Sequence, residues 1–244
     1  NISGLEHFQT IAYMDQTAIG KNALSTPATF LGLYDEIRNL YANTDTAKSK
    51  KLKSSHFSFN SKAGQCESCK GQGQLKISMD FLSDVYVECP VCNGKRFKNE
   101  VLNIKWNQYS IDQILEKTIH EASEIFKSET KLSKSFNLLN DLGLGHLKLG
   151  QSATTLSGGE AQRIKLAKEL LKTKKEKCLY LLDEPTTGLH FADIEKLIKV
   201  LSDLRDQGHA LYIIEHHPWF TKVADFNVQL GPEGGEKGGY IINN

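Results

Sequence analysis

Long apolar runs are missing from this 244-residue chain: no uninterrupted stretch exceeds five residues, against about 18 for a membrane-crossing helix. A basic-then-apolar leader is missing too, so the sequence reads as a soluble, cytoplasmic protein with no membrane partner. The first residue is Asn1 and not methionine, which predicts a fragment, a processed product or a cloned domain. Also absent is Gly-x4-Gly-Lys-[Ser/Thr], the loop whose backbone amides cradle nucleotide phosphates. Gly20-Lys21-Asn22 lacks both the leading glycine and the hydroxyl for Mg²⁺. Any nucleotide chemistry therefore needs those donors from elsewhere.

Hydrophobic residues make up 39% of the chain, enough to bury a sizeable core as one or two domains. The overall charge of +1 hides an asymmetry. Residues 46 to 98 hold nine lysines and Arg96 against Glu67, Asp80, Asp84 and Glu88, an excess of +6 that leaves −5 for the remainder. A basic segment beside an acidic remainder points to a polyanion partner, although Lys48, Lys50, Lys51 and Lys53 taken alone read more readily as a solvated loop.

Four of the five cysteines form Cys66-x2-Cys69 and Cys89-x2-Cys92, with 19 residues between the pairs. In a chain without an export signal this spacing predicts four thiolates around one tetrahedral Zn²⁺, because each short pair supplies one edge of the tetrahedron. Gly71, Gly73 and Gly94 follow the pairs and supply the backbone freedom for tight turns. Cys178 opens an apolar run and reads as an inert core thiol. Between the pairs, Leu75–Phe81 and Val85–Glu88 alternate apolar with polar, predicting a β-hairpin that turns at 82–84. Lys62, Lys70, Lys76, Lys95, Arg96 and Lys98 would decorate this rigid protrusion as contacts for a polyanion's phosphates.

Leu156-Ser157-Gly158-Gly159-Glu160 leads into apolar residues at helical spacing. A glycine-preceded helix start offers unpaired N–H groups to phosphate oxygens, and Ser157 with Glu160 also fits a capping box. Farther on, Leu179-Tyr180-Leu181-Leu182 ends in Asp183 and Glu184. Adjacent carboxylates after a buried strand are costly unless they meet a cation or a reacting proton, so Asp183 is expected to hold Mg²⁺ and Glu184 to orient or deprotonate a water. A helix over 191–206 and a second apolar run, Ala210–Ile214, complete a βαβ unit, which brings His216 to the same sheet edge.

These residues resemble the ATP-binding-cassette ATPases: Leu156–Glu160 is similar to their signature motif, Leu179–Glu184 to Walker B, Thr186–His190 to the D-loop, and His216 to the switch histidine. Gln16, after Ile11-Ala12-Tyr13-Met14-Asp15, resembles the Q-loop glutamine. With its zinc module set between Q-loop and signature, the chain is similar to the C-terminal half of the UvrA family, the damage-recognition ATPases of bacterial nucleotide excision repair. Gly143-Leu144-Gly145 and the terminal Leu230-Gly231-Pro232-Glu233-Gly234-Gly235 carry the likeness as well.

The resemblance implies an ATP and Mg²⁺ site in the complete protein, with Gln16, Glu184 and His216 catalytic and Asp183 on the metal. It implies that Ser157, Gly158, Gly159 and Gln162 serve a second, facing nucleotide. It also implies a damaged DNA duplex and a UvrB-type subunit as partners, a homodimer, and no turnover by this chain alone. His217-Pro218-Trp219 stands where the family usually has Asn-Leu-Asp, which changes a helix entry but leaves His216 in place. A zinc-stabilised DNA-binding module without ATPase activity and a UvrA-like drug-resistance paralogue stay open as alternatives. The cysteine segment also fits a chaperone-type Cys-x2-Cys-x-Gly-x-Gly repeat.

The expected fold is α/β: an ABC-type, P-loop NTPase-like parallel sheet carrying an inserted helical and zinc-hairpin domain. Strands are predicted near 10–15, 178–183 and 210–215, with small antiparallel strands near 226–230 and 240–242. Helices are predicted over 111–126 and 132–142. Residues 1–20 with 152–244 would form the ATPase core, and 21–151 the insertion, with its zinc module at 62–98.

Overall fold

In the computed structural model, residues 3–79, 82–172, 176–231 and 239–243 are described. Among the described residues the strands are β1 (Thr10–Met14), β2 (Gln74–Met79), β3 (Leu82–Glu88), β4 (Lys105–Trp106), β5 (Tyr109–Ser110), β6 (Cys178–Asp183), β7 (Ala210–Ile214), β8 (Gln229–Gly231) and β9 (Tyr240–Asn243). The helices up to the signature motif are α1 (Pro27–Phe30), α2 (Leu33–Ala42), α3 (Asp45–Ser49), α4 (Asn99–Leu102), α5 (Ile111–Leu115), α6 (Ile119–Ile125) and α7 (Thr130–Asp141). After it come α8 (Gly158–Leu170), α9 (Phe191–Asp206) and α10 (Pro218–Val223).

The expected parallel sheet is present with the order β1-β6-β7. Its register pairs Met14 with Leu182 and Asp183 with Ile214, so all three strands end at one edge. One face is apolar and covered: Ala12, Met14, Cys178, Tyr180 and Leu182 are buried there, as are Ile194, Leu197, Leu201 and Leu204 of α9. Helix α8 is buried around most of its first two turns, with Ala161, Gln162, Arg163, Ile164, Leu166 and Ala167 all inside. The opposite face leaves Ile11, Tyr13, Tyr212 and Ile214 at least half exposed.

The region between β1 and α8 is largely helical and shares one continuous core with the sheet. Tyr34, Phe59 and Phe97 pack ring on ring, as do Trp106, Phe126 and Phe136. The Tyr34 hydroxyl donates to the Phe57 carbonyl at 2.7 Å, and the Tyr41 hydroxyl to that of Tyr109 at 2.8 Å. Both groups are thereby satisfied inside an apolar core.

Three expectations shift. The single helix over 111–126 is two, α5 and α6, because Thr118 starts a new helix. Its hydroxyl accepts the Glu121 N–H at 3.1 Å while the Glu121 carboxylate accepts the Thr118 N–H at 2.9 Å. The zinc-module hairpin turns earlier than 82–84: Met79 pairs with Leu82, so the turn falls on 80–81, which lie outside the described residues. Of the terminal motif, Leu230 and Gly231 sit in β8, and Pro232 to Gly235 lie outside the described residues.

Candidate functional site

The two acids that end β6 differ in backbone. Asp183 continues the ladder opposite Ile214, whereas Glu184 turns out of it at φ 46°, a left-handed conformation that is costly for a residue with a Cβ. Its N–H still donates to the Ile214 carbonyl at 2.8 Å, and its own carbonyl accepts the Thr187 N–H at 3.1 Å. This geometry aims the Glu184 side chain at the loop after β7, where His216 Nε2 lies 3.4 Å from Glu184 Oε1. Gln16, two residues beyond the end of β1, reaches the same edge. There a Cβ on Gly158 would come within 3.0 Å of Gln16 Oε1. Gln16, Asp183, Glu184 and His216 are thus gathered along one sheet edge.

The signature segment meets that edge from the side. Ser157 caps α8 as the capping-box reading expects: its hydroxyl accepts the Glu160 N–H at 3.3 Å, and its N–H donates to Glu160 Oε2 at 2.7 Å. His146 Nε2 lies 2.7 Å from the other Glu160 oxygen. Burial acts to raise the Glu160 pKa, and hydrogen bonds from His146 and Ser157 outweigh it and hold it below the usual value. Gly159 is needed for close approach, since a Cβ there would lie 2.6 Å from the Thr187 carbonyl oxygen.

Gln162 departs from its expected nucleotide-facing role. It is 1% exposed. Its amide donates to the carbonyls of Met14 at 2.8 Å and Asp183 at 2.7 Å, pinning together the ends of β1 and β6. A nucleotide cannot reach a side chain so enclosed. Arg163, which the sequence reading did not single out, is equally buried, and its Nη1 donates to the Thr187 carbonyl at 2.9 Å. Lys165 ion-pairs with Asp15 and donates to Thr17 Oγ1 at 2.6 Å, fixing the loop that carries Gln16. The Lys165 hydrogen bond is the largest influence holding Asp15 below the usual carboxylate pKa. A polar pair inside the apolar wrap of α8 was the available sequence signal for Gln162 and Arg163. Nothing local marks the Asp15–Lys165 pair.

Glu215 is another residue without a role assigned from sequence. One oxygen accepts from the Thr186 N–H and hydroxyl, and the other from the N–H groups of His216 and His217. The atypical His217-Pro218-Trp219 does begin a helix, α10, with the His217 ring capping it through the Trp219 N–H at 3.3 Å. His217, Trp219 and Phe191 form an aromatic cluster beside the D-loop.

All four cysteines of the two pairs are buried and reduced, and their sulfurs lie within 4.8 Å of one another. Across the pairs, Cys66 and Cys89 sulfurs are 4.0 Å apart and those of Cys69 and Cys92 3.6 Å. A tetrahedron of Zn–S bonds near 2.3 Å has edges of about 3.8 Å, so the donor set and its spacing fit zinc. The Gly73 N–H points at Cys69 Sγ at 3.2 Å, the kind of outer contact that orients a ligating thiolate. Backbone crowding fixes the glycines here: at Gly71, φ 81°, a Cβ would fall 1.8 Å from the Phe59 carbonyl oxygen. Cys178 is buried among apolar side chains, as expected.

Four of the basic residues expected to meet phosphate fare differently. Lys70 and Lys95 are exposed on the module. Lys76 ion-pairs with Asp84 at 2.6 Å. Arg96 turns inward: its guanidinium lies over the Phe59 ring at 5.2 Å, and one terminal nitrogen is buried without a hydrogen-bond partner. It is therefore packing for the module and not a free phosphate contact.

A family model described as ABC transporter matches residues 70–187. Across all 244 residues the chain is 50% identical to the UvrABC system protein A of Pseudomonas aeruginosa. The chain belongs to the UvrA family. Relative to the Clostridium acetobutylicum UvrABC system protein A, identity is 50% over 99% of the chain. The crystal structure of UvrA2 from Deinococcus radiodurans covers 98% of the chain at 41% identity, with a TM-score of 0.88, and the match spans 29% of that UvrA2 chain. The present chain spans about a quarter of the length of the curated UvrA relatives it matches, 26% in both cases. Among the described residues no helix is long and apolar enough to cross a membrane.

Proposed function

We propose that this chain supplies parts of two ATP sites to a longer UvrA-family ATPase of nucleotide excision repair. The observation that carries this reading is the Glu184–His216 contact at the carboxyl edge of the sheet, with Gln16 and Asp183 alongside. In hydrolysis, Glu184 orients and takes a proton from the attacking water. His216 steadies Glu184 and faces the terminal phosphate, and Gln16 registers the presence of that phosphate. Mg²⁺, when bound, neutralises charge on the transferring phosphoryl group, and Asp183 is the residue to hold it. Ser157, Gly158 and Gly159 present the start of α8 to a nucleotide held by a different P-loop, while Gln162 and Arg163 act behind them.

Residues 1–20 with 152–244 act as the ATPase core, and 21–151 as an insertion carrying a zinc module at 62–98. Cys66, Cys69, Cys89 and Cys92 hold one Zn²⁺, which stiffens the β2–β3 hairpin. Lys70 and Lys95 then meet the backbone of a damaged duplex, giving strongly salt-dependent binding that senses DNA shape. Homodimerisation, a UvrB-type partner and a cytoplasmic location complete the reading.

ATP turnover by this chain against the complete protein tests the composite-site idea. Without P-loop amides and lysine the electrostatic clamp on the β and γ phosphates is gone, so the chain alone should show negligible hydrolysis. Substantial turnover by it would overturn the reading.

A further inference from the structure

Four neutral donors converge on one carboxylate beside the Glu184–His216 pair. Glu215 Oε2 accepts the Thr186 N–H at 3.2 Å and the Thr186 hydroxyl at 2.8 Å. Its Oε1 accepts the N–H groups of His216 at 2.9 Å and His217 at 3.2 Å. Thr186 lies on the loop that leaves β6 and His216 on the loop that leaves β7. The last backbone link between these strands is Glu184 N–H to the Ile214 carbonyl. Past that point the Glu215 carboxylate bridges the two loops.

We propose that Glu215 is a positioning residue for ATP hydrolysis: by tying the Thr186 loop to the His216 loop it holds Glu184 and His216 at their working separation. The proposal rests on the reading of those two residues as the hydrolytic pair. Two features support it. Glu184 sits in a left-handed backbone conformation that persists only where its surroundings enforce it, and Thr186, two residues on, is the point where Glu215 grips. Moreover, an ionised carboxylate can accept on both oxygens at once, and hydrogen bonds to a charged acceptor are about twice as strong as neutral ones. A glutamine in its place has one acceptor, and its NH₂ group faces N–H donors on the other side, so one of the two loops is released.

The test uses the complete protein. Glu215→Gln is expected to lower kcat about 10- to 100-fold, the range in which small misplacements of catalytic groups fall, while KM for ATP stays within about twofold and melting temperature and zinc content are retained. Thr186→Val, which removes only the hydroxyl donor, is expected to lose kcat, and Thr186→Ser to lose less. The double variant Glu215→Gln/Thr186→Val should be no slower than Glu215→Gln, because the bridge between the two loops is already broken. A folded Glu215→Gln protein with normal kcat, or additive losses in the double variant, overturns the proposal. If Glu215→Gln does not fold, equal losses in Thr186→Val and Thr186→Ser overturn it. Glu184→Gln is measured alongside: unchanged turnover there sinks the hydrolytic reading itself, whereas lost turnover there with normal kcat in Glu215→Gln and Thr186→Val sinks only the role of Glu215.

Discussion

His216 Nε2 stands 3.4 Å from Glu184 Oε1, across the ends of two neighbouring parallel strands. The contact follows from one ladder: Asp183 pairs with Ile214, so the residues that follow each strand emerge side by side. Glu184 and His216 remain 47% and 83% exposed in their side chains, leaving the pair open to a third group. In the proposed function, this acid and imidazole at the carboxyl edge of a parallel sheet, open on one side, orient a water toward a phosphate.

Beneath that edge, Gln162 is the main link between the signature helix and the strand ends. Replacing it with alanine removes a donor from each of the Met14 and Asp183 carbonyls in a largely buried setting. We expect Gln162→Ala to destabilise the chain by about 1–3 kcal/mol, measured by urea unfolding. An unchanged midpoint and slope would remove Gln162 from the framework.

Metal removal should be felt most in the module. A two-stranded hairpin is marginal in water by itself, and the base of β2–β3 is held by the four sulfurs and by the Cys89 N–H donating to the Gly73 carbonyl at 2.9 Å. Cys92→Ser or chelation is expected to abolish stoichiometric zinc and to speed amide exchange in residues 74–79 and 84–88. The sheet β1-β6-β7 should be spared. Elemental analysis with hydrogen exchange checks this, and a zinc-free wild-type protein with a protected hairpin would contradict it.

Charge on the module divides into free and occupied groups. Lys70→Ala and Lys95→Ala should each weaken DNA binding and lower the salt slope by about one. Arg96→Ala should leave the slope alone and lower stability by about 0.5–2 kcal/mol, because its guanidinium packs over Phe59. Titrations of duplex DNA across a salt series, paired with melting curves, separate the two effects. A reduced slope for Arg96→Ala would reverse this assignment.

The strands and helix of the βαβ unit were legible because their periodicity and punctuation are local: the apolar run 178–182 ends in acids, and α9 begins after His190. The cysteine pairs were legible from spacing. The break between α5 and α6 was not, since Ile111–Phe126 keeps a helical apolar pattern through it and only the Thr118–Glu121 box marks the stop. Arg96 and Gln162 misled for another reason. Polar side chains in functional segments read as ligand contacts, and only tertiary packing, against Phe59 in one case and two strand ends in the other, shows that they face inward. Glu215 could not be assigned a role because the partner that gives it one, Thr186, lies on a loop 29 residues away in sequence.

The most direct test of the account is steady-state ATP turnover by the complete protein carrying Glu184→Gln. The account predicts a fall of roughly 10²- to 10⁴-fold in hydrolysis with ATP binding retained. Hydrolysis within a few-fold of wild type would contradict it.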